Sequence, residues 1–402
     1  MTKRVALSRR ACLKGFAAAA GAAVGTRIAG RSLLGNAEAA PAGKAAVVSV
    51  FFEGGFNALF SSPDSFLGSG AFGVTSSNVR KLANDLYVDA GTIGTLGDWA
   101  LGHMAAIGVR HGATDHITAQ RNNYMNGSRS FVLQLAAAMG GDAAFKAAAL
   151  GGLPVPGAPP PENGVSLQLL RTMGDVSTAL GLGAIDFKKP ARNAAGAALA
   201  RATAMSAGDL AKNPRSTAFA KDAYATLADS LAKPPLAIDI ARIAQAYNVS
   251  TGARLETIPA KLAAAELMLR AGTNVVTLSD TGWDTHGDRT GQTVRRRMTS
   301  EIIPALKTFI SRLRSEPELA AMNVTVMLHG DFARSLPGSD HAPALSALVI
   351  GPNVKVGTTG KVSAGVTLPE GTGGAKEMWS YLAALAKVRE NPFGPNPHPL
   401  VL

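Results

Sequence analysis

The residues of this chain best suited to chemistry are carboxylates and imidazoles gathered at a few points. These are Asp115-His116, Asp284-Thr285-His286, Asp331 with Arg334, and Asp340-His341, with Glu53 and Asn57 at an earlier one. Five of the seven histidines (His111, His116, His286, His329, His341) fall in these stretches or within a few residues before them. Carboxylate oxygens interleaved with imidazole nitrogens suit a hard-to-borderline divalent cation, which leaves Zn, Mg and Ca open. Each motif also has an ordinary reading. Asp284 alone would be a helix N-cap near a surface histidine, Asp340-His341 a turn, and Arg334 a partner for Asp331. Glu53 would cap the Gly54-Gly55 turn, and His329, in a strand period, reads as a packed residue. Recurrence of the motifs is what points to one shared site.

The elements around them follow an α/β rhythm. Ala45 to Phe52 is a continuous apolar run with β-branched residues, read as a buried first strand entering the Gly54-Gly55 loop. Further strands are expected at Met104 to Val109, Thr273 to Leu278, Val324 to Leu328 and Leu345 to Ile350. Helical periods run from Ser128 to Met139, Leu262 to Leu269, Thr293 to Arg314 and Lys376 to Lys387. Residues 140–165 read as a Gly/Pro-rich connector, and 190–271 as a predominantly helical, Ala-rich insertion. Strands alternating with helices predict a doubly wound, mostly parallel sheet flanked by helices. Ligands of such sheets gather at the carboxyl ends of the strands, where every motif above falls.

The order of the motifs is itself informative. Gly54-Gly55-Phe56-Asn57 comes first, then His116-Ile117-Thr118-Ala119-Gln120 and Asn126-Gly127. Gly282-Trp283-Asp284-Thr285-His286, Gly330-Asp331-Phe332-Ala333-Arg334-Ser335 and Ser339-Asp340-His341-Ala342 follow. From about residue 45 to its end the chain resembles domain-of-unknown-function family 1501. That family is often exported by the twin-arginine route and is grouped with the alkaline phosphatase and sulfatase superfamily. The resemblance implies an alkaline-phosphatase-like sheet with one or two divalent metals at the strand ends. It implies attack on phosphate or sulfate esters, the metal lowering the nucleophile's pKa and neutralising developing charge. By position, Asp284 and His286 resemble the metal-ligand pair, Asp331 the next acid, and His341 with Asp340 the last contribution. Asp115, His116 and Arg334 mark the catalytic corner. The chain departs from the family pattern at Asn57, where Asp is usual, and at Asp115, where Ser precedes the histidine. Asp331, Ala333 and Ala342 replace Glu, Gly and Gly. Loss of a ligand charge and of the hydroxyl would be expected to cripple ester transfer, unless Thr114 or Thr118 substitutes. An active hydrolase, a catalytically degenerate relative that binds an anionic envelope component or a partner protein in the periplasm, and a purely structural or interaction protein are the three readings to separate.

The first residues address the protein rather than build it. Met1 to Lys14 is basic, with Arg9-Arg10 just ahead of a weakly apolar Gly15 to Gly25, and Ala37-Glu38-Ala39 supplies a cleavage site. Residues 1–39 read as a twin-arginine signal peptide that engages the translocase, and 40–402 as one periplasmic or secreted domain. The only cysteine is Cys12, so the mature chain has no disulfide and depends on its core. The leader carries half of the formal charge of +12, leaving +6 on the mature chain. With 5% aromatic residues and no basic stripe interleaved with them, nucleic acid is not an expected partner. An anionic ester or envelope component is, and no mature segment is long and apolar enough to span a membrane.

Overall fold

A computed structural model describes residues 44–141, 143–180, 182, 201–210, 212–213, 238–336 and 338–402. The leader, with Arg9 and Arg10, and most of the Ala-rich stretch lie outside these residues. Eight strands form one sheet: β1 (Ala45–Phe52), β2 (Met104–Arg110), β3 (Ala147–Leu150), β4 (Leu167–Leu170), β5 (Val275–Asp280), β6 (Asn323–Gly330), β7 (Ala344–Ile350) and β8 (Gly357–Thr358). Their spatial order is β8-β2-β7-β6-β1-β5-β3-β4, which places the first strand of the chain in the interior. All neighbours are parallel except β7, which runs antiparallel to both β6 and β2. The mostly parallel sheet expected from the sequence is therefore present, with one reversed strand inside it.

Composition explains the layering. β1, β5, β6 and β7 are buried along almost their whole length, as their unbroken apolar runs require. Helices α1 (His116–Tyr124), α2 (Phe131–Met139), α3 (Ile258–Arg270), α4 (Ile303–Ser315) and α5 (Ala375–Leu385) flank the sheet. Trp379 of α5 meets Tyr124 of α1 and Phe131 of α2, with ring centroids 5.9 and 6.2 Å away. The helical period from Thr293 to Arg314 is realised as three joined pieces. Gln292–Arg297 is α-helical, Met298–Ile302 is a π turn, and α4 follows. Pro304 sits in the first turn of α4, and its missing N–H accounts for the change of winding there. The connector expected over 140–165 instead contributes β3, which pairs with β5, while β4 lies just past it. No helix of the described residues is long and apolar enough to cross a membrane.

One buried charge ties two of these helices together. Glu266 of α3 is fully buried and accepts from Arg312 Nε and Nη2 of α4 at 2.6 and 2.7 Å. Arg270 Nε at 3.0 Å and the Tyr247 hydroxyl at 3.0 Å complete its shell. Removing one partner of such a group strands the other charge in a dry interior. Arg312→Ala is therefore expected to destabilise the protein by roughly 3–5 kcal/mol, read as a lower urea midpoint. A loss below about 1 kcal/mol would show that Arg270 and Tyr247 suffice.

Candidate metal centre

Register decides where the functional loops begin. Phe52 lies opposite both Asp280 and Gly330, so β1, β5 and β6 end at one level. β2 arrives at the same rim through Arg110, opposite Ala344, and leads on to Asp115 and His116 at the start of α1. Because β7 is reversed, it begins where its neighbours end, and the residues just before it, Asp340 and His341, share the rim.

Two anchors fix the loops. Gly54 and Gly55 have φ of +111° and +124°, and neither has room for a side chain. A Cβ on Gly54 would stand 2.3 Å from Asp284 N, and one on Gly55 2.9 Å from Arg334 Cγ. Glycine is thus required for the 284 and 334 loops to close on β1. The second anchor is Trp283, which is buried, 4.6 Å from the Phe52 ring, and donates Nε1–H to Asp280 Oδ2 at 2.7 Å. Arg297 Nη2 donates to the same oxygen at 2.7 Å. With Trp283 held down, Asp284 emerges at the surface of the rim, about half exposed (53%).

Three imidazoles converge on Asp284. The Nε2 atom of His286 lies 3.3 Å from its Oδ1, that of His341 4.0 Å from Oδ1, and that of His116 3.7 Å from Oδ2. Behind each ring the Nδ1 atom is held by an oxygen. Asp331 Oδ2 stands 2.5 Å from His116 Nδ1, Asp340 Oδ1 3.0 Å from His286 Nδ1, and the Thr114 carbonyl 2.6 Å from His341 Nδ1. The Thr114 carbonyl can only accept, so Nδ1 of His341 carries the proton and Nε2 presents a lone pair. The carboxylates of Asp331 and Asp340 impose the same tautomer when ionised. His341 packs between the other two rings, at 4.7 Å from His116 and 4.5 Å from His286, above buried Phe332 at 4.0 Å. Donor atoms of His116, Asp284 and His341 all lie within 4.8 Å of one another.

The electrostatics fit a cation in this place. His341 Nε2, which faces Asp284, is buried without a hydrogen-bond partner, a costly condition that a ligand would relieve. Burial works against ionisation of Asp284, but the Arg334 guanidinium and the nearby imidazoles outweigh it and hold the carboxyl below its usual range. Burial, reinforced by Arg334, His116 and His286, lowers His341 despite the Thr114 carbonyl, a shift that favours the neutral ring a metal ligand needs. Asp331 is raised by burial, against the hydrogen bonds from His116 and Gly54.

The sequence-derived residues divide into those the fold gathers and those it spends elsewhere. Asp284, His286 and His341 meet directly, and Asp340 and Asp331 reach the cluster through the imidazoles they orient. His116, read as catalytic, presents Nε2 to the same carboxylate as the others. Arg334 is fully buried and pairs with Asp284 rather than with Asp331. Its Nε donates to the Gly54 carbonyl at 2.7 Å and Nη1 to the Ser339 carbonyl at 2.9 Å. Asn57 Oδ1 caps its own helical turn at Leu59 N, 3.0 Å away, and Asp115 Oδ1 caps α1 at Thr118 N, 2.9 Å away. His329 is buried in β6, bonded to Ser49 and Tyr124 as a packed residue. Asn123 was not singled out by sequence. Its Nδ2 donates to the carbonyls of Asp331 (2.7 Å) and Gly330 (3.2 Å), holding the 331 loop to α1. Its place seven residues after His116, on the same helix face, was the available signal.

Residues 170–366 match the model of a family described as Protein of unknown function (DUF1501). The matched span holds Asp284, His286, Asp331, Arg334, Asp340 and His341, and stops short of Asn57, Asp115 and His116. No curated protein matches the chain. Among solved structures, it is similar to alkaline phosphatase from the Antarctic bacterium TAB5 at 9% identity and a TM-score of 0.34, over 87% of this chain and 100% of that one. A mutant of that enzyme with Mg bound gives 10% identity and a TM-score of 0.33, over 87% and 99%. Likeness at that level transfers neither activity nor site to this protein.

Asp331 offers a direct check on how the centre is held. Asp331→Asn would leave His116 without its anionic support, and removal of such a partner weakens metal binding by about 10–100-fold. Zinc titration of the folded variant against the parent, with circular dichroism confirming the fold, reads this. Unchanged affinity would mean that His116 needs no support from behind.

Proposed function

We propose that this chain binds a divalent cation through His116, Asp284 and His341, with His286 beside them, and hydrolyses phosphate or sulfate esters there after export by the twin-arginine route. One observation carries the metal half. Three Nε2 atoms, their Nδ1 partners behind them, face a single carboxylate, an arrangement of lone pairs and negative charge that lacks only a cation. An imidazole-rich donor set with one carboxylate favours zinc over magnesium or calcium, which prefer all-oxygen shells. When bound, such an ion supplies a Lewis acid that activates water and neutralises charge developing on an ester oxygen.

The chain's own groups have complementary tasks in this reading. Asp331, Asp340 and the Thr114 carbonyl orient the imidazoles, while Arg334 fixes Asp284. Phe332 gives the histidines a dry floor. The hydrolytic half rests on the exposed, strand-end position of the cluster and on the net positive mature chain, which suits an anionic substrate. A second reading is a metal-bearing protein that binds an envelope component without turnover. What favours it is Asp115, a capping carboxylate where the resembled family has a serine.

Two measurements separate these. Elemental analysis of the exported, folded protein is expected to find about one zinc per chain, lost on dialysis against a chelator and absent from His341→Ala. Zinc-loaded protein is then expected to hydrolyse aryl phosphates or sulfates, at a rate at least about 100-fold above the Asp284→Asn variant. Zinc without turnover selects the binding reading, and the absence of any divalent ion rejects both.

A further inference from the structure

An anionic substrate needs a positive side chain to receive it, and Arg334 is not available for this. Its Nε and Nη2 donate to the Gly54 carbonyl, Nη1 to the Ser339 carbonyl and Nη2 to Asp284, all inside the protein. Another arginine stands on the loop that carries Asp284 and His286. Arg289 lies three residues beyond His286, and the chain there is fixed: its N–H donates to the Gly287 carbonyl at 3.0 Å and its carbonyl accepts from Phe72 N at 2.9 Å. The Arg289 side chain lies over Gly338. Its Nε is 3.7 Å from the point where a Cβ on Gly338 would stand, and the carbonyl of His286 is 3.9 Å from that same point. Gly338, with φ of +93°, opens the turn that ends at Asp340, the oxygen partner of His286 Nδ1. Arg289 is exposed, and among the described residues its guanidinium has neither a hydrogen bond nor an ion pair. The adjacent acid, Asp288, is turned toward the start of the next helix, where its Oδ2 accepts from Val294 N at 2.9 Å.

We infer that Arg289 is the substrate-binding cation of this centre, recruiting and orienting the terminal phosphate of a phosphate monoester beside the His116–Asp284–His341 cluster. The inference rests on the metal-hydrolase reading above and adds a substrate class to it. A guanidinium outside the metal cluster acts on the charge of the group that docks. A dianionic monoester gains about twice what a monoanionic diester or sulfate ester gains from the same contact. Its planar fork also matches two oxygens of one phosphoryl group. The folded centre does not need Arg289, because its imidazoles and carboxylate are held by other groups: Asp331 behind His116, Asp340 behind His286, the Thr114 carbonyl behind His341 and Arg334 on Asp284.

Inorganic phosphate is the probe. Mature protein and the variants Arg289→Gln, Arg289→Lys and Arg296→Gln are loaded with zinc, their zinc content is measured, and each is titrated with phosphate by calorimetry. Zinc content is expected to be equal in all four. Phosphate affinity is expected to fall at least about tenfold in Arg289→Gln, in part in Arg289→Lys, and not in Arg296→Gln, an exposed arginine on the neighbouring helix. Equal phosphate affinity of Arg289→Gln and parent at equal zinc content overturns the assignment and leaves the metal reading intact. So does zinc-loaded parent that binds no phosphate. Failure of the parent to take up zinc is the separate result that removes the metal reading and this inference with it.

Discussion

A single half-exposed carboxylate, that of Asp284, governs the arrangement of the rim. A fully buried guanidinium faces it from inside the protein and three imidazoles from outside. Arg334 cannot lose its charge at any ordinary pH, so burying it demands an anion at fixed geometry. That demand pins Asp284, and it reaches further back. The space for Arg334 exists because Gly55 carries no side chain, the bare Gly54 lets the backbone of Asp284 approach, and the remaining donors of Arg334 are absorbed by backbone carbonyls. A buried ion pair of this kind contributes little net stability. What it contributes is position, since the carboxylate cannot rotate away from the imidazoles without leaving a charge unpaired in the interior.

The sheet makes the meeting possible through one irregularity. In a wholly parallel sheet the residues preceding β7 would lie at the amino-terminal edge. With seven residues in that strand, His341 would then stand roughly 23 Å from Asp284. Reversing β7 brings its entry loop to the rim where β1, β5 and β6 end in register. Histidines that come from a helix N-terminus, a strand exit and a strand entry then face one another. Each is approached from behind by an oxygen of a different loop, so no single segment holds the tautomers.

Much of this was legible in the residues, and the gaps have physical causes. β1, β5 and β6 announced themselves through runs of Val, Phe, Leu and Met, and the polar loops that follow them through Asp and His. β3 is Ala-Ala-Ala-Leu beside a Pro/Gly-rich stretch, and alanine gives no β-signal, so its place in the sheet depends on the neighbours β5 and β4. The direction of β7 is not written in its composition, because a buried strand has the same apolar pattern either way. At the rim, residue types and the order of motifs singled out Asp284, His286 and His341, which the fold brings together. They were not enough to assign Asp331 to the back of His116, or Asn57 to its own helical turn. Those distinctions rest on which oxygen finishes within 3 Å of which nitrogen, a property of packed loops and not of spacing along the chain.

Beneath the rim a second polar group answers how α1 is kept at the right height. Ser49 Oγ, Tyr124 Oη and His329 Nε2 form a closed ring of contacts at 2.9–3.0 Å, all buried. Burial pushes His329 down to about 3, so the ring contains no charge and the interior bears no desolvated ion. Three apolar side chains of similar volume would pack there at no greater cost, but they would allow α1 to slide along β6. The hydrogen bonds do not, because Tyr124 and His329 match in only one register. Asn123, one residue before Tyr124, bonds the carbonyls of Gly330 and Asp331 in that same register. His116 opens the helix that these contacts fix, and Asp331 follows the strand they fix it to. The 2.5 Å contact between them is thereby determined from below, before any ligand enters the rim.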